Sequence, residues 1–361
     1  MNNNRLDQPS PVRSGDELDI QQLQTYLHTH LPQLNGPLTV QQFPQGFSNL
    51  TYHLQMGETE LVLRRPPFGV KIKSAHDMGR EYHILSHLHR VYAKAPRPLL
   101  YCDDESVLGA PFYVMERVKG IILRTTTPTE MIPAPELMGR IAESFVDNLV
   151  ELHQVDYQAG GLGNLGRPTG YIERQIGGWT KRYYDARTGD APEIERTAAW
   201  LADNMPPESG AALIHNDYKY NNLMLNPADP SQIIAVFDWE MATLGDPLMD
   251  LGTSLGYWIE PDDPPLMQRL KFSPTHWPGN PSREALVQRY AQKSGRDVLH
   301  LVFYYAYGLF KLAVIIQQIY RRYKLGFTQD ERFAHLDEEV KLCGQIALQA
   351  IEKKRVDNLF T

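Results

Sequence analysis

The feature that most limits how this chain can fold is a change of hydrophobic period near Gly120. Before it, runs at residues 38–43, 51–56 and 60–65 have strand character, with Gln45-Gly46 and Gly57-Glu58 as turn signals between them. Side chains of a strand alternate between two faces, so these runs predict a β-meander. A short helix over residues 16–30, with Leu18, Leu23 and Leu27 on one face, precedes it. A helix over 74–90 with Ile84, Leu85 and Leu88 follows, and then strands near 99–102 and 112–118. After Gly120 the spacing turns helical. Leu137, Ile141, Phe145, Leu149 and Leu152 form one stripe over residues 135–153. A single β island, 212–214, 223–225 and 233–237, interrupts the helices, with the turn Asn226-Pro227-Ala228-Asp229-Pro230 inside it. Helices resume at Pro247, and the proline-rich residues 261–281 read as a loop. The prediction is an α+β chain of two lobes. Residues 15–118 make a small β-rich lobe and residues 119–361 a larger, mainly helical one. The polar residues 1–14 are expected to be a disordered tail.

A length of 361 residues and a hydrophobic share of 42% are enough for two packed lobes. The net charge of −7 offers no general attraction to nucleic acid or to an anionic membrane, so neither is expected as a partner. Cys102 and Cys343 form neither a metal pattern nor a disulfide framework, which fits a reducing compartment. The N-terminus lacks the apolar run of a signal peptide. The best candidate for a membrane span, residues 299–319, is cut by Lys311 and two glutamines and reads as a buried helix. A cytoplasmic enzyme is the expectation.

The β island carries the chemistry. The strand residues Leu213-Ile214 lead into His215-Asn216-Asp217-Tyr218-Lys219-Tyr220-Asn221-Asn222, and Phe237-Asp238-Trp239-Glu240 follows sixteen residues after Asn222. Phosphoryl transfer asks little covalent chemistry of a protein. It needs a carboxylate to orient the attacking hydroxyl and oxygen ligands to fix magnesium on the phosphates. An Asp, an Asn five positions later and an Asp after the next hairpin supply that set.

His-x-Asp-x-x-x-x-Asn followed by Asp-Trp-Glu resembles the aminoglycoside phosphotransferase and choline kinase superfamily, relatives of the protein kinases. The strand order of the first lobe matches a kinase amino-terminal lobe. The resemblance runs from residue 38 to about 250 and implies a two-lobed protein-kinase-like fold, with ATP and magnesium as cofactors. It implies Asp217 as catalytic base, Asn222 and Asp238 as metal ligands, and Lys219 facing the γ-phosphate. Gly46, Ser48 and Asn49 stand in the phosphate-covering loop. Arg64 replaces the usual lysine on the α- and β-phosphates and pairs with Glu81. Arg65 is the alternative, and strand phase favours Arg64, which shares a face with Val62. Adenine is expected on the backbone near Glu116 and Val118. Asp246 reads as a helix N-cap before Pro247, and Asp250 resembles the buried acid that holds the catalytic loop.

The segments Leu63-Arg64-Arg65-Pro66-Pro67-Phe68-Gly69 and Ala75-His76-Asp77-Met78, with the catalytic loop, are most similar to the kinase-like domain associated with acyl-CoA dehydrogenases. That resemblance implies a 4-hydroxyacyl-CoA as acceptor and an acyl-CoA dehydrogenase working beside this chain. Lys311, Arg321 and Arg322 are candidate contacts for the CoA phosphates, with Tyr304, Tyr307 or Tyr320 for stacking. The alternative for these cations is a cluster at a helix C-terminus. Other acceptors remain open: an aminoglycoside, for which Glu260-Pro261-Asp262-Asp263 could supply the acidic cleft although it reads rather as a solvated loop, or choline or a sugar. A pseudokinase that binds nucleotide without turnover is a different class, and the complete Asp217, Asn222 and Asp238 set argues against it.

Overall fold

The computed structural model describes residues 6–44, 49–68 and 77–360. Helix α1 (Ile20–His30) opens the first lobe, starting where Asp19 caps it by accepting from the Gln22 amide. Strands β1 (Leu38–Gln42), β2 (Leu50–Met56), β3 (Thr59–Arg65), β4 (Pro98–Cys102) and β5 (Phe112–Glu116) form one antiparallel sheet in the order β1-β2-β3-β5-β4. Helix α2 (Met78–Leu88) lies between β3 and β4, its first turn capped by Asp77. A four-residue helix α3 (Glu105–Leu108), too short to show a period, joins β4 to β5. Strand alternation divides β3 between two cores. Leu61 and Leu63 turn to the side of Leu23, Leu27 and Leu54. Val62 turns to the side of Ile84, Leu85 and Leu88, where the main core begins.

The second lobe contains α4 (Pro135–His153), α5 (Tyr171–Ala186), α6 (Pro192–Asp203), α7 (Pro247–Gly256), α8 (Arg283–Ser294), α9 (Leu301–Lys324) and α10 (Leu336–Lys353). The β island comprises β6 (Ala212–Ile214), β7 (Leu223–Leu225), β8 (Ile233–Val236) and β9 (Thr243–Gly245). Strands β7 and β8 make a hairpin, while β6 pairs with β9, a strand of Thr-Leu-Gly that no alternation announces. The fold is thus the two-lobed one expected, a sheet lobe and a helical lobe. Helix α9 is long and apolar enough to cross a membrane by composition, but most of it is buried as the central helix of the second lobe. It meets α7 closely. A β-carbon on Gly308 would lie 1.9 Å from the Gly252 carbonyl oxygen, so this crossing requires glycine.

The described part of the tail is held, contrary to the expectation of disorder. The Ser10 and Gln42 backbones exchange two hydrogen bonds of 2.8 Å, and the Asp7 amide donates to the Gly120 carbonyl at 2.9 Å. The reason is topological. Strand β1 is an edge strand, and its open N–H and C=O groups accept a passing chain.

Candidate active site between the lobes

The loop after β6 is pinned before it reaches Asp217. The buried Asp250 carboxylate on α7 accepts from the His215 and Asn216 amides, each at 2.7 Å. Burial pushes this carboxyl up, but His153, hydrogen-bonded at 3.1 Å, together with His215 outweighs it and the group is held low. The sequence expectation for Asp250 matches this geometry, as does Asp246, which caps α7 ahead of Pro247. His215 Nε2 lies 2.9 Å from the Phe237 carbonyl and Nδ1 lies 3.2 Å from the Asp217 amide. The tautomer protonated on Nε2 satisfies both, so the imidazole ties this loop to the residue before Asp238.

The Asp217 carboxylate is surrounded by donors. Lys219 Nζ reaches its two oxygens at 2.9 and 2.8 Å, and Asn222 Nδ2 reaches Oδ2 at 3.0 Å. Burial works against the Lys219 ammonium, but Asp217 outweighs it and holds the lysine charged. Lys219 Nζ also lies 4.7 Å from the Tyr257 ring centroid. Burial raises the Tyr257 phenol, and the neighbouring Asp217 raises it further.

Asp238 follows β8 in the left-handed region at φ 69°. Its Oδ1 accepts from Arg64 Nη2 at 3.0 Å, while Arg64 Nη1 donates to Glu81 Oε1 at 2.6 Å. Glu81 Oε1 also receives the Trp239 amide at 3.2 Å. Burial opposes the Asp238 charge, and Arg64 with Lys219 more than offsets it, so the carboxyl is held below its usual range. The phase argument on β3 selects the arginine found here. Arg65 lies on the opposite side, with Nε on the Pro66 carbonyl at 3.1 Å and its guanidinium 3.6 Å from the Phe68 ring centroid.

Other expected residues fall into three groups. Gly46 and Ser48 lie outside the described residues. Asn49, at the end of that loop, is buried and donates to Glu240 Oε2 at 2.9 Å. Glu116 ends β5 with its exposed carboxylate 3.0 Å from Arg97 Nε, so its side chain is engaged away from the expected adenine role. The basic cluster is not one cluster. Arg321 and Arg322 are exposed near the end of α9, whereas Lys311 is buried with Nζ 2.7 Å from the Asn216 carbonyl. The CoA-contact reading of Lys311 therefore fails on burial. Tyr304 and Tyr307 are also inside the core and offer no stacking face, leaving Tyr320 at the edge.

Two residues at the site carried no assignment from sequence. Glu240 has its carboxyl pushed up to about 8 by burial and then by Asp238. Its place in Asp238-Trp239-Glu240 was the available signal. Tyr257 lies far from both motifs in sequence and no pattern marks it.

The arrangement fits a magnesium site. Asn222 Nδ2 is spent on the Asp217 carbonyl and carboxylate, which turns its amide oxygen away as a free acceptor. Together with the charged Asp238 carboxylate this makes a hard-oxygen donor set. Asp217 and Asp238 both act on Lys219, so Asp217, Lys219, Asn222 and Asp238 stand close together at one site.

Acyl-CoA dehydrogenase family member 11 of Gallus gallus is 35% identical over 348 residues, 94% of this chain and 44% of that protein. The Homo sapiens protein of the same name is 34% identical over 322 residues, 87% of this chain and 41% of that one. The chain thus spans less than half the length of the curated relatives it matches. A crystal structure of a Ralstonia eutropha protein named as an aminoglycoside phosphotransferase superposes with a TM-score of 0.77 at 29% identity, covering 93% of this chain and 99% of that one. A spectinomycin phosphotransferase solved with ADP and its antibiotic shares the fold at a TM-score of 0.57 and 14% identity, covering 90% of this chain and 94% of that one. The sequence model of the phosphotransferase enzyme family matches residues 39–286, a span that holds every residue of this cleft, and the chain belongs to that family.

Proposed function

We propose that the chain is an ATP- and magnesium-dependent small-molecule kinase whose acceptor is the hydroxyl of a 4-hydroxyacyl-CoA. The observation that carries the kinase reading is the meeting of Arg64, Asp217, Asn222 and Asp238 in one cleft between the lobes. In this reading Arg64, held by Glu81, binds the α- and β-phosphates. Asn222 and Asp238 hold magnesium, which neutralises phosphate charge when bound. Asp217 accepts the proton of the acceptor hydroxyl as its oxygen bonds to the γ-phosphorus. The bond from that phosphorus to the bridging oxygen breaks, and ADP leaves with the electron pair. Lys219 balances the charge beside Asp217 throughout. The work is positioning and electrostatics, which this fold supplies from rigid strand ends and a pinned loop.

Two observations favour an anionic acyl-CoA over a polycationic aminoglycoside. Curated relatives that match 87–94% of this chain carry acyl-CoA dehydrogenase names. The acidic stretch an aminoglycoside would use is already spent. Asp263 accepts from Arg283 at 2.7 and 2.9 Å, and Glu260 accepts the Arg283 amide at 2.6 Å. Arg322 lies eleven residues after Lys311 on α9, about three turns and ~16 Å along the axis, and exposed beside Arg321. On this reading the enzyme is cytoplasmic and works beside an acyl-CoA dehydrogenase.

The test is phosphoryl transfer from MgATP to a panel: a 4-hydroxyacyl-CoA, its free acid, choline, a sugar and an aminoglycoside. The CoA ester is expected to have the highest kcat/KM, because contacts to the remote handle help fix the reacting hydroxyl. Replacing Arg321 and Arg322 together with Ala is expected to raise KM for the ester and leave KM for ATP unchanged. Preference for an aminoglycoside or choline over the ester refutes the acceptor while leaving the kinase reading in place.

A further inference from the structure

Asn216 precedes the candidate base and has a left-handed backbone, φ 66°, without being glycine. Such a conformation persists when its surroundings determine it. Here the peptide groups on both sides of Asn216 are clamped. The Asn216 N–H donates to Asp250 Oδ1 at 2.7 Å, and its C=O accepts from Lys311 Nζ at 2.7 Å. The side chain is held as well, by the Tyr171 hydroxyl at 3.2 Å and the Met241 carbonyl at 3.2 Å. The carbonyl that Lys311 grips belongs to the peptide that leads directly into Asp217.

Lys311 is an unusual residue for this place. It is 2% exposed, in the middle of the central helix. Among the described residues its hydrogen bonds go to Asn216 alone, at the carbonyl and more distantly at Oδ1, and its nearest aromatic face is Trp179 at 5.6 Å. The charges that act on it are Asp250 on α7, Asp217 and Lys219 on the loop, and Arg182 on α5. None of these is a contact partner. A buried ammonium without a contacting carboxylate is costly, and burial pushes this one down to about 8. A leucine or methionine would fill the same space with less penalty. The glycine crossing of α7 and α9 brings Asp250 and Lys311 onto the same peptide from two helices.

We infer that Lys311 is a positioning residue for phosphoryl transfer, fixing the Asn216–Asp217 peptide so that the Asp217 carboxylate is aimed at the acceptor. The inference rests on reading Asp217 as the base.

The test uses the full chain and magnesium-dependent ATP hydrolysis, with water as acceptor. Lys311→Met is expected to lower kcat ~10–100-fold, since a small misplacement of a reacting group costs about that much. KM for ATP and calorimetric affinity for MgADP are expected within about twofold of wild type, because Lys311 touches no residue assigned to nucleotide or metal. A residue that merely fills the core would lower the melting temperature and leave kcat of the folded protein intact. A kcat within about twofold of wild type overturns the inference. Where methionine prevents folding, Lys311→Ala removes the donor with no long side chain left to misfit the core. A severalfold drop in kcat at constant KM then supports the inference, and an unchanged kcat overturns it. Full activity of Asp217→Asn would remove the base assignment beneath it. An inactive Asp217→Asn beside a fully active Lys311→Met sinks the Lys311 inference alone.

Discussion

Replacing Arg64 by Met takes one cation from between two carboxylates. Its guanidinium bonds Glu81 at 2.6 Å and Asp238 at 3.0 Å, and the Glu81 and Asp238 side chains are 1% and 28% exposed. Breaking a buried ion pair from one side costs about 3–5 kcal/mol, because the charge left behind stays desolvated. Solvent reaches Asp238, so the penalty falls mainly on Glu81, and the lower figure, ~3 kcal/mol, is the expected one. Unfolding entropy for 361 residues is ~0.8 kcal/mol/K near the midpoint, which converts that loss to a melting temperature about 4 °C lower. Glu81→Gln leaves Arg64 paired with Asp238 and no orphan charge, and is expected to cost about half as much. The pH dependence separates charge from shape. In the wild type, burial raises Asp238 but Arg64 overcomes it, so the folded-state value lies below the unfolded one. That contribution is present above the unfolded value, ~3.9, and is lost as pH falls through the lower folded value. For Glu81 the sign is opposite to that of Asp238, in the wild type and in Arg64→Met alike. Burial raises it even against Arg64, and without Arg64 it rises further. Its penalty therefore grows as pH rises above the unfolded value and is relieved as pH falls back toward it. Scanning calorimetry at pH 8 and pH 5.5 measures both. A loss under ~1 °C at pH 8, or an equal or larger loss at pH 5.5, refutes the reasoning.

Asp217→Asn is expected to keep the fold and MgADP affinity while lowering kcat at least ~10²-fold, the usual share of a positioned base. Near-normal turnover by a folded variant would remove the assignment. Asp238→Ala is expected to abolish the magnesium-dependent part of ADP binding and Asn222→Ala to weaken it, since phosphate charge then lacks a bound counter-ion. Calorimetric titration of ADP with and without magnesium checks both, and wild-type MgADP affinity in the two variants would place the metal elsewhere.

What the sequence made legible was local. The 3.6-residue stripe over 135–153 is helix α4 to the residue, and the period-two pattern of β3 selected Arg64 over Arg65 before any neighbour was known. Asp246 could be read because capping acts over two residues, whereas Asp250 was legible only through the family resemblance, its loop partners lying 34 and 35 positions away. The misreadings concern groups whose partners are distant in sequence. Asp7 and Ser10 looked like a free polar tail because nothing nearby holds them, and their partners are Gly120 and an edge strand. Glu260 and Asp263 looked like a solvated or acceptor-facing acidic stretch, and they are bound to Arg283. Lys311 looked like one of three surface cations, and it serves a carbonyl 95 positions away. A sequence states the sign of each charge and not its partner. At this site the partner decides the role, since the same ammonium group would recruit an anion at the surface and here holds the peptide that leads into Asp217. The exposed pair Arg321 and Arg322, free of any such internal assignment by burial, is therefore where a search for the acceptor's anionic handle belongs.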